Sequence, residues 1–307
     1  MSSKIFRGKM KYREYEACNL CHRGCGVNRY ETVGSCRSQA EMKIARAALH
    51  MWEEPPISGT RGSGTIFFSG CSLSCVYCQN REISRGNAGV CVSAERLSEI
   101  MLELQRKGAH NINLVTPTHY VPAIIDSVAR SKKAGLSVPI VYNTGNYDTV
   151  DTLKLLRGTV DIYLPDAKYK TKKTAEKYSG AAKYPDVFLL NIDEMLRQCG
   201  ECVFDGDGIM KRGVIVRVLL LPMHLAEAKL ITSELYRAFG DKIYVSLMNQ
   251  YTPPAGMTPP LDRRVTRSEY GELVDYALTL GVKNAFIQDD GTADESFIPP
   301  FDLEGVL

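Results

Sequence analysis

Three closely spaced cysteines carry the most specific chemistry in this chain. Cys71, Cys75 and Cys78 stand in the run Ser69-Gly70-Cys71-Ser72-Leu73-Ser74-Cys75-Val76-Tyr77-Cys78-Gln79-Asn80, spaced C-x3-C-x2-C directly behind the apolar segment TIFFS. Thiolates this close can wrap one corner of a cubic iron–sulfur cluster. A [4Fe–4S] cluster has four irons, so three ligands leave one iron open to bind a substrate. A structural zinc site takes four ligands. This loop offers three, and the next cysteine, Cys91, lies 13 residues further on. Buried free thiols are the plainer alternative, because free cysteine is often buried. Three such residues within eight, among small polar neighbours, argue against it.

A second group, Cys18, Cys21, Cys25 and Cys36, has the spacing C-x2-C-x3-C-x10-C. Four thiolates suffice for a zinc site or a second iron–sulfur cluster, and Arg23, Arg29 and Arg37 would offset their charge. Zinc, a second cluster and unmetallated thiols all remain open. Cys199 and Cys202 form a further CxxC with no partner pair nearby and read as incidental.

The elements that must position these residues follow from the apolar pattern. Short apolar runs at 65–69, 112–115, 139–142, 160–164, 213–221 and 243–247 read as strands. Between them lie helical patterns: one capped by Ser93 with Leu97, Ile100, Met101 and Leu104 on one face, then others from 122, near 150–156, at 186–198 and at 225–239. About six strands, most followed by a helix, predict an α/β fold with a parallel sheet, either a partial barrel or a doubly wound sheet. In both, ligands collect at the C-terminal ends of the strands. Residues 1–60 are basic and Cys-rich, with one helix expected at 38–51. Residues 61–250 form the α/β core. Residues 251–307 add a Pro-rich stretch, TPPAGMTPP, one helix and one short strand. Gly59, Gly62 and Gly64 read as a turn before the first strand, because they open no helix.

Composition sets the outer bounds. The 307 residues carry 38 basic and 35 acidic side chains, a net charge of +3, with 44% apolar residues. Such a balance gives no bulk field for nucleic acid or a membrane surface. No apolar run reaches the ~18 residues of a membrane span, and the first 18 residues show no apolar signal region. The expectation is a cytoplasmic protein, where clustered cysteines serve metals or redox chemistry better than disulfides.

The run CSLSCVYC resembles the CxxxCxΦC signature of radical S-adenosylmethionine (SAM) enzymes, with Tyr77 as the aromatic residue, and it follows a first strand as theirs does. The wider context, over about 64 to 250, is similar to the activating enzymes of pyruvate formate-lyase. It also matches a branch of that group with an N-terminal Cys-rich segment like CNLCHRGCGVNR. The resemblance implies a partial (β/α)6 TIM-like barrel with small N- and C-terminal extensions. It implies that Cys71, Cys75 and Cys78 ligate a [4Fe–4S] cluster whose fourth iron is chelated by SAM. One-electron cleavage of the sulfonium C–S bond would then give a 5′-deoxyadenosyl radical that abstracts hydrogen, an oxidoreductase chemistry carried by the cofactors.

Other positions carry over from the resemblance. Tyr77 would sit near the adenine. The family's Gly-Gly-Glu stretch is replaced by Val115-Thr116-Pro117-Thr118-His119, in which Thr116 and Thr118 would meet the amino group. Asn143 would reach a ribose hydroxyl, and Gly145 would permit close backbone approach. Asp166 and Lys168 match an Asp-x-Lys that contacts the ligand, with a surface salt bridge as the alternative. Arg217 stands inside GVIVRVLLLP, where a charge must face a cavity or a partner. It matches an arginine that meets SAM; a core ion pair is the alternative. His224 reads as a helix-start residue, and Asn249, Gln250 and Tyr251 as loop packing, with a place on the substrate side as the alternative. Implied partners are a flavodoxin or ferredoxin as electron donor and a glycyl radical enzyme as protein substrate. A small molecule or another peptide is the alternative substrate, and a non-catalytic electron-transfer protein the alternative class.

Overall fold

The computed structural model describes residues 11–86, 88–288 and 298–307; the first ten residues of the N-terminal stretch read above lie outside them. Its strands are β1 (Met42–His50), β2 (Ser63–Phe68), β3 (Val90–Val92), β4 (Ile112–Val115), β5 (Ile140–Thr144), β6 (Ile162–Pro165), β7 (Val203–Phe204), β8 (Met210–Leu219), β9 (Tyr244–Met248) and β10 (Ala285–Ile287). The helices are α1 (Pro55–Ser58), α2 (Arg81–Ser84), α3 (Ala94–Arg106), α4 (Val121–Lys133), α5 (Val150–Leu155), α6 (Lys172–Ser179), α7 (Tyr184–Cys199), α8 (Leu225–Phe239) and α9 (Arg267–Leu280).

The main sheet runs in the order β10-β9-β8-β6-β5-β4-β2-β1-β3, with β7 on β8. Every pair from β2 to β10 along that path is parallel. The ends are not joined to each other, so the fold is a partial barrel. All six strands read from sequence are present, and the short C-terminal strand joins the same sheet as β10. Strands β2, β4, β5 and β6 are buried throughout, as expected of parallel strands covered on both faces. Helix α3 is capped by Ser93, whose hydroxyl accepts from the Arg96 amide, and it buries Leu97, Ile100, Met101 and Leu104.

Short elements β3, β7, α1 and α2 add to those expected, and two longer ones differ from expectation. The segment expected as a helix at 38–51 is strand β1, paired antiparallel with β2 and β3. Its Ala, Met, Lys and Arg residues favour a helix intrinsically. Paired between β2 and β3, however, the segment satisfies its backbone and covers the free edge of β2, and tertiary pairing overrides propensity. The sequence reading also passed over α6, which begins with the hydroxyl cap of Thr171 on the Thr174 amide.

Register decides what points inward. Asn113 pairs with Val141, Val115 with Asn143, Val141 with Ile162 and Asn143 with Leu164, and Asp166 bridges to Arg217. These residues therefore share one face of the sheet. Toward the N-terminal ends of the strands that face is filled by Ile57, Val141, Ile162, Leu164, Met210 and Ile215. Further along it becomes polar. Among the described residues no helix is long and apolar enough to cross a membrane.

Candidate functional site

The loop after β2 carries the three cysteines and is held from several sides. The Gly70 amide donates to the Ile83 carbonyl (2.8 Å), Ser74 to Ser179 (3.2 Å) and Val76 to Tyr178 (2.9 Å). Gly70 adopts φ +91°, and a Cβ there would lie 2.1 Å from the Ser38 hydroxyl and 2.8 Å from the Cys36 carbonyl. Only glycine fits where the N-terminal segment presses on this loop. At Gly145, opposite, a Cβ would lie 2.9 Å from the tip of the Leu73 side chain, which has room to give way.

All three thiols line one cavity of ≈ 640 Å³ at the C-terminal ends of the strands. That size is ordinary for a small-molecule site. A slightly larger cavity, ≈ 740 Å³, lies at the opposite end near His110 and Tyr244 and is lined by none of the three cysteines. Burial raises the Cys71 and Cys78 thiols, and the neighbouring Cys75 adds to both shifts. Unliganded, these are neutral thiols; a bound metal would reverse that balance. The Leu73 amide donates to Cys71 Sγ (3.4 Å) and the Ser179 hydroxyl to Cys75 Sγ (2.9 Å).

Across the cavity stands a network of charges. Asp166 accepts from Arg217 Nη2 (2.8 Å) and Nε (2.9 Å) through Oδ1 and pairs with Lys168 Nζ (2.6 Å) through Oδ2. Arg217 also donates to Asn143 Oδ1 (2.7 Å). The side chains of Asp166 and Lys168 are 19% and 14% exposed, so this is no surface salt bridge. Burial pushes the Asp166 carboxyl up, but Arg217 and Lys168 outweigh it and hold the group below its usual range. Arg217 is both things the sequence allowed, a member of a buried ion pair and a wall of the cavity.

Thr116 lines the cavity at φ +59°, a conformation that glycine adopts freely and a β-branched residue rarely does. Its amide donates to the Asn143 carbonyl (2.9 Å). Thr118 turns elsewhere. It is buried beside Thr144 (3.4 Å between hydroxyls), next to the carboxylate of Asp148, and is not among the cavity-lining residues. Tyr77 lines the cavity, and its hydroxyl bonds to that of Tyr169 (2.6 Å), which meets the Ser179 hydroxyl (2.6 Å). A chain of hydroxyls thus ends on the Cys75 sulfur. His224 stands at the start of α8, its Nδ1 donating to the Pro222 carbonyl (2.7 Å).

Sequence reasoning passed over Glu53 and Glu54, which reach the cavity from the turn after β1. Glu53 accepts from Asn113 (2.8 Å) and lies 3.8 Å from Arg217, while Glu54 accepts from the Ser246 hydroxyl (2.8 Å). Burial raises both carboxyls against the pull of Arg217. Nothing local marks them, because they lie far in sequence from every partner. Gln250 and Tyr251, expected as loop packing, also line the cavity. Cys91 is exposed on β3, outside it. Cys18, Cys21, Cys25 and Cys36 lie outside it as well, packed behind the cysteine loop. Among the described residues, no three His, Cys, Asp or Glu side chains close on a single metal-ion position. A cubic cluster makes no such demand, since each of its ligands binds a different iron.

Comparison with known proteins agrees with this geometry. Residues 58–184 match a family described as a 4Fe-4S single cluster domain. An uncharacterized protein of Methanocaldococcus jannaschii is 29% identical over 277 residues, 86% of this chain and 75% of the relative. The fold is shared with a radical SAM methyltransferase from Sphaerobacter thermophilus, at 15% identity and TM-score 0.51, over 75% of this chain and 67% of that one. SuiB of Streptococcus suis aligns at 13% identity and TM-score 0.48 over 75% of this chain, which spans about half of SuiB's length (49%). The CSLSCVYC loop lies inside the matched 4Fe–4S segment, and the fold around it is shared with a radical SAM methyltransferase, in keeping with the chain's resemblance to the radical S-adenosylmethionine superfamily.

Proposed function

We propose that this radical SAM enzyme holds a [4Fe–4S] cluster on Cys71, Cys75 and Cys78 and receives SAM across the cavity. One observation carries the reading: three thiols and a buried mixed-charge network share that cavity. The donors suit the groups. Soft thiols match iron–sulfur chemistry. On the other side, Asp166, Arg217, Lys168 and Asn143 offer both signs of charge and hydrogen-bond partners to a zwitterionic ligand. Thr116 would offer its carbonyl or hydroxyl to the amino group. Tyr77 would flank the adenine with its ring, its hydroxyl being engaged by Tyr169. When bound, the cofactors supply reductive cleavage of a carbon–sulfur bond and the hydrogen abstraction that follows.

The chain's own residues supply orientation. Asp166 fixes Arg217 and Lys168, so little motion is needed when a ligand arrives. Burial opposes the charge on Lys168, but the Asp166 carboxylate outweighs it and holds the ammonium above its usual range.

The finer reading is that the chain activates a glycyl radical enzyme in the cytoplasm, with a flavodoxin or ferredoxin as donor. In it, residues 1–60 form a Cys-rich extension, 61–250 the catalytic core and 251–307 a C-terminal extension. A small molecule or a different peptide is the competing substrate. Anaerobically reconstituted protein, reduced with dithionite and given SAM, is expected to release 5′-deoxyadenosine. Iron-loaded protein whose spectrum ignores SAM would sink the proposal. A glycyl-radical EPR signal on a candidate partner separates the two substrate classes.

A further inference from the structure

The cysteines that the cavity does not use are gathered by the fold. Gly34 lies between two of them: its missing Cβ would stand 3.4 Å from both Cys25 Sγ and Cys36 Sγ. Cys25 Sγ faces the Cys18 carbonyl at 3.8 Å. Cys21 is within electrostatic reach of Cys18 and Cys36. Two tight turns bring them together. Gly26 donates to the Cys18 carbonyl (3.0 Å) and Gly24 to that of Cys21 (3.0 Å), with both glycines at positive φ.

The turns also aim amides at sulfur in one recurring way. The residue two places on turns its N–H toward the sulfur at Cys18 (Leu20), Cys21 (Arg23) and Cys25 (Val27, beside the amide of Ser35). The cavity triad does the same at Cys71 (from Leu73) and Cys78 (from Asn80). At Cys199 and Cys202 the backbone partners come instead from distant residues, Gly213 and then Val214 and Tyr244. A thiol is a weak acceptor and a thiolate a strong one. Turns that present N–H groups to sulfur therefore suit metal-bound thiolates.

A second observation is independent of the cysteines. Arg29 is 0% exposed. Its guanidinium donates to the carbonyls of Ser38 (3.3 Å), His119 and Gln39 and stacks on Tyr15 and Tyr120. Among the described residues it pairs with no carboxylate, and the groups able to carry negative charge that act on it are Cys36, Tyr15, Cys18 and Tyr120. A buried cation without a counter-charge is costly. A metal ringed by four thiolates is an anionic centre and would supply that charge.

We propose that Cys18, Cys21, Cys25 and Cys36 hold a second, four-thiolate metal centre, zinc or iron–sulfur, that braces the loop carrying the catalytic triad. Binding deprotonates the four thiols and releases their protons to solvent. The brace is direct: the Cys71 amide donates to the Cys36 carbonyl (3.3 Å), and Arg23 donates to the carbonyls of Ser72 (2.7 Å) and Ser179 (2.9 Å). A metal held by these four ligands would draw the thiols inward from the positions they occupy here.

The test removes the triad first, so that it does not depend on SAM chemistry. Full-length Cys71→Ser/Cys75→Ser/Cys78→Ser protein, purified anaerobically, is analysed for zinc, iron and sulfide. About one zinc per chain, or iron and sulfide of about one cluster, supports the site. Zinc assigns it a bracing role alone, while iron with an EPR signal indifferent to SAM adds an electron-carrying one. Adding Cys18→Ser and Cys21→Ser is expected to abolish that metal. Folded triad variant holding neither metal overturns the proposal. If the multiple variant fails to fold, alkylation of the triad variant with and without a chelator decides. Cys18, Cys21, Cys25 and Cys36 becoming reactive only after chelation supports the site, and equal reactivity overturns it.

Discussion

The two cysteine groups of this chain share a local design and differ in where they face. Both present N–H groups to sulfur from two residues on. The loop of Cys71, Cys75 and Cys78 lines a cavity opposite fixed charges. The group of Cys18, Cys21, Cys25 and Cys36 is packed against loops instead, with Cys18 and Cys36 buried. An incompletely ligated metal is useful only where a ligand can reach it, whereas a closed site serves by holding its surroundings. On the proposed reading, cysteine number and placement together separate a reactive centre from a bracing one.

The sharpest way to break that contrast is to remove one ligand from each. Cys75→Ser is expected to drop 5′-deoxyadenosine formation to background with far-UV circular dichroism unchanged. Cys21→Ser is expected to lower unfolding stability by about 2–5 kcal/mol, read by denaturant titration, and by more than Cys75→Ser does. Equal behaviour of the two variants would erase the distinction.

Arg217→Leu comes next. It leaves Asp166, a buried carboxylate, with Lys168 as its one remaining ion-pair partner among the described residues. The loss should be about 3–5 kcal/mol, with SAM-induced spectral change weakened in whatever protein remains folded. Retention of full SAM response would remove Arg217 from the site.

His119 sits at the seam between the two groups. Its Nε2–H donates to the Ser69 carbonyl (2.8 Å), and its own carbonyl accepts from Arg29. Burial first, then Arg29, lowers its pKa from 6.5 to about 3. The unfolded chain thus binds a proton that the folded one refuses, so stability falls as pH drops below the unfolded value of 6.5. Between pH 6.5 and 5 the expected loss is about 2 kcal/mol. His119→Gln should flatten that slope in denaturant titrations. An unchanged slope would place the acid sensitivity elsewhere.

The smallest effect concerns tuning. Ser179→Ala removes the hydroxyl donor to Cys75 Sγ. Hydrogen bonds to cluster sulfurs favour the reduced, more negative state. The midpoint potential should fall by roughly 40 mV, the equivalent of ~1 kcal/mol for one electron. No shift in a redox titration would show the hydroxyl chain to be structural.

Much of the fold was legible because apolar runs at strand length recur between helical patterns, and every parallel strand read that way is present. Strand β1 was not, because MKIARAALH has strong helix formers and only its pairing with β2 and β3 decides its state. Thr118 illustrates a different gap. It lies two residues from Thr116, yet the chain turns between them, and one faces the cavity while the other meets Thr144.

The sequence by itself supplied the proposed ligand set, because C-x3-C-x2-C after a strand constrains how thiols in one loop can meet a cluster. It also determined the parallel α/β core, since burial on both faces demands continuous apolar strands. Only the tertiary structure decided that Glu53 and Glu54 join Arg217 in the cavity and that Arg29 is buried behind the triad loop. It alone decided that Cys36 hydrogen-bonds to Cys71. These contacts join segments tens of residues apart, and local spacing carries no information about which distant charges a folded sheet brings face to face.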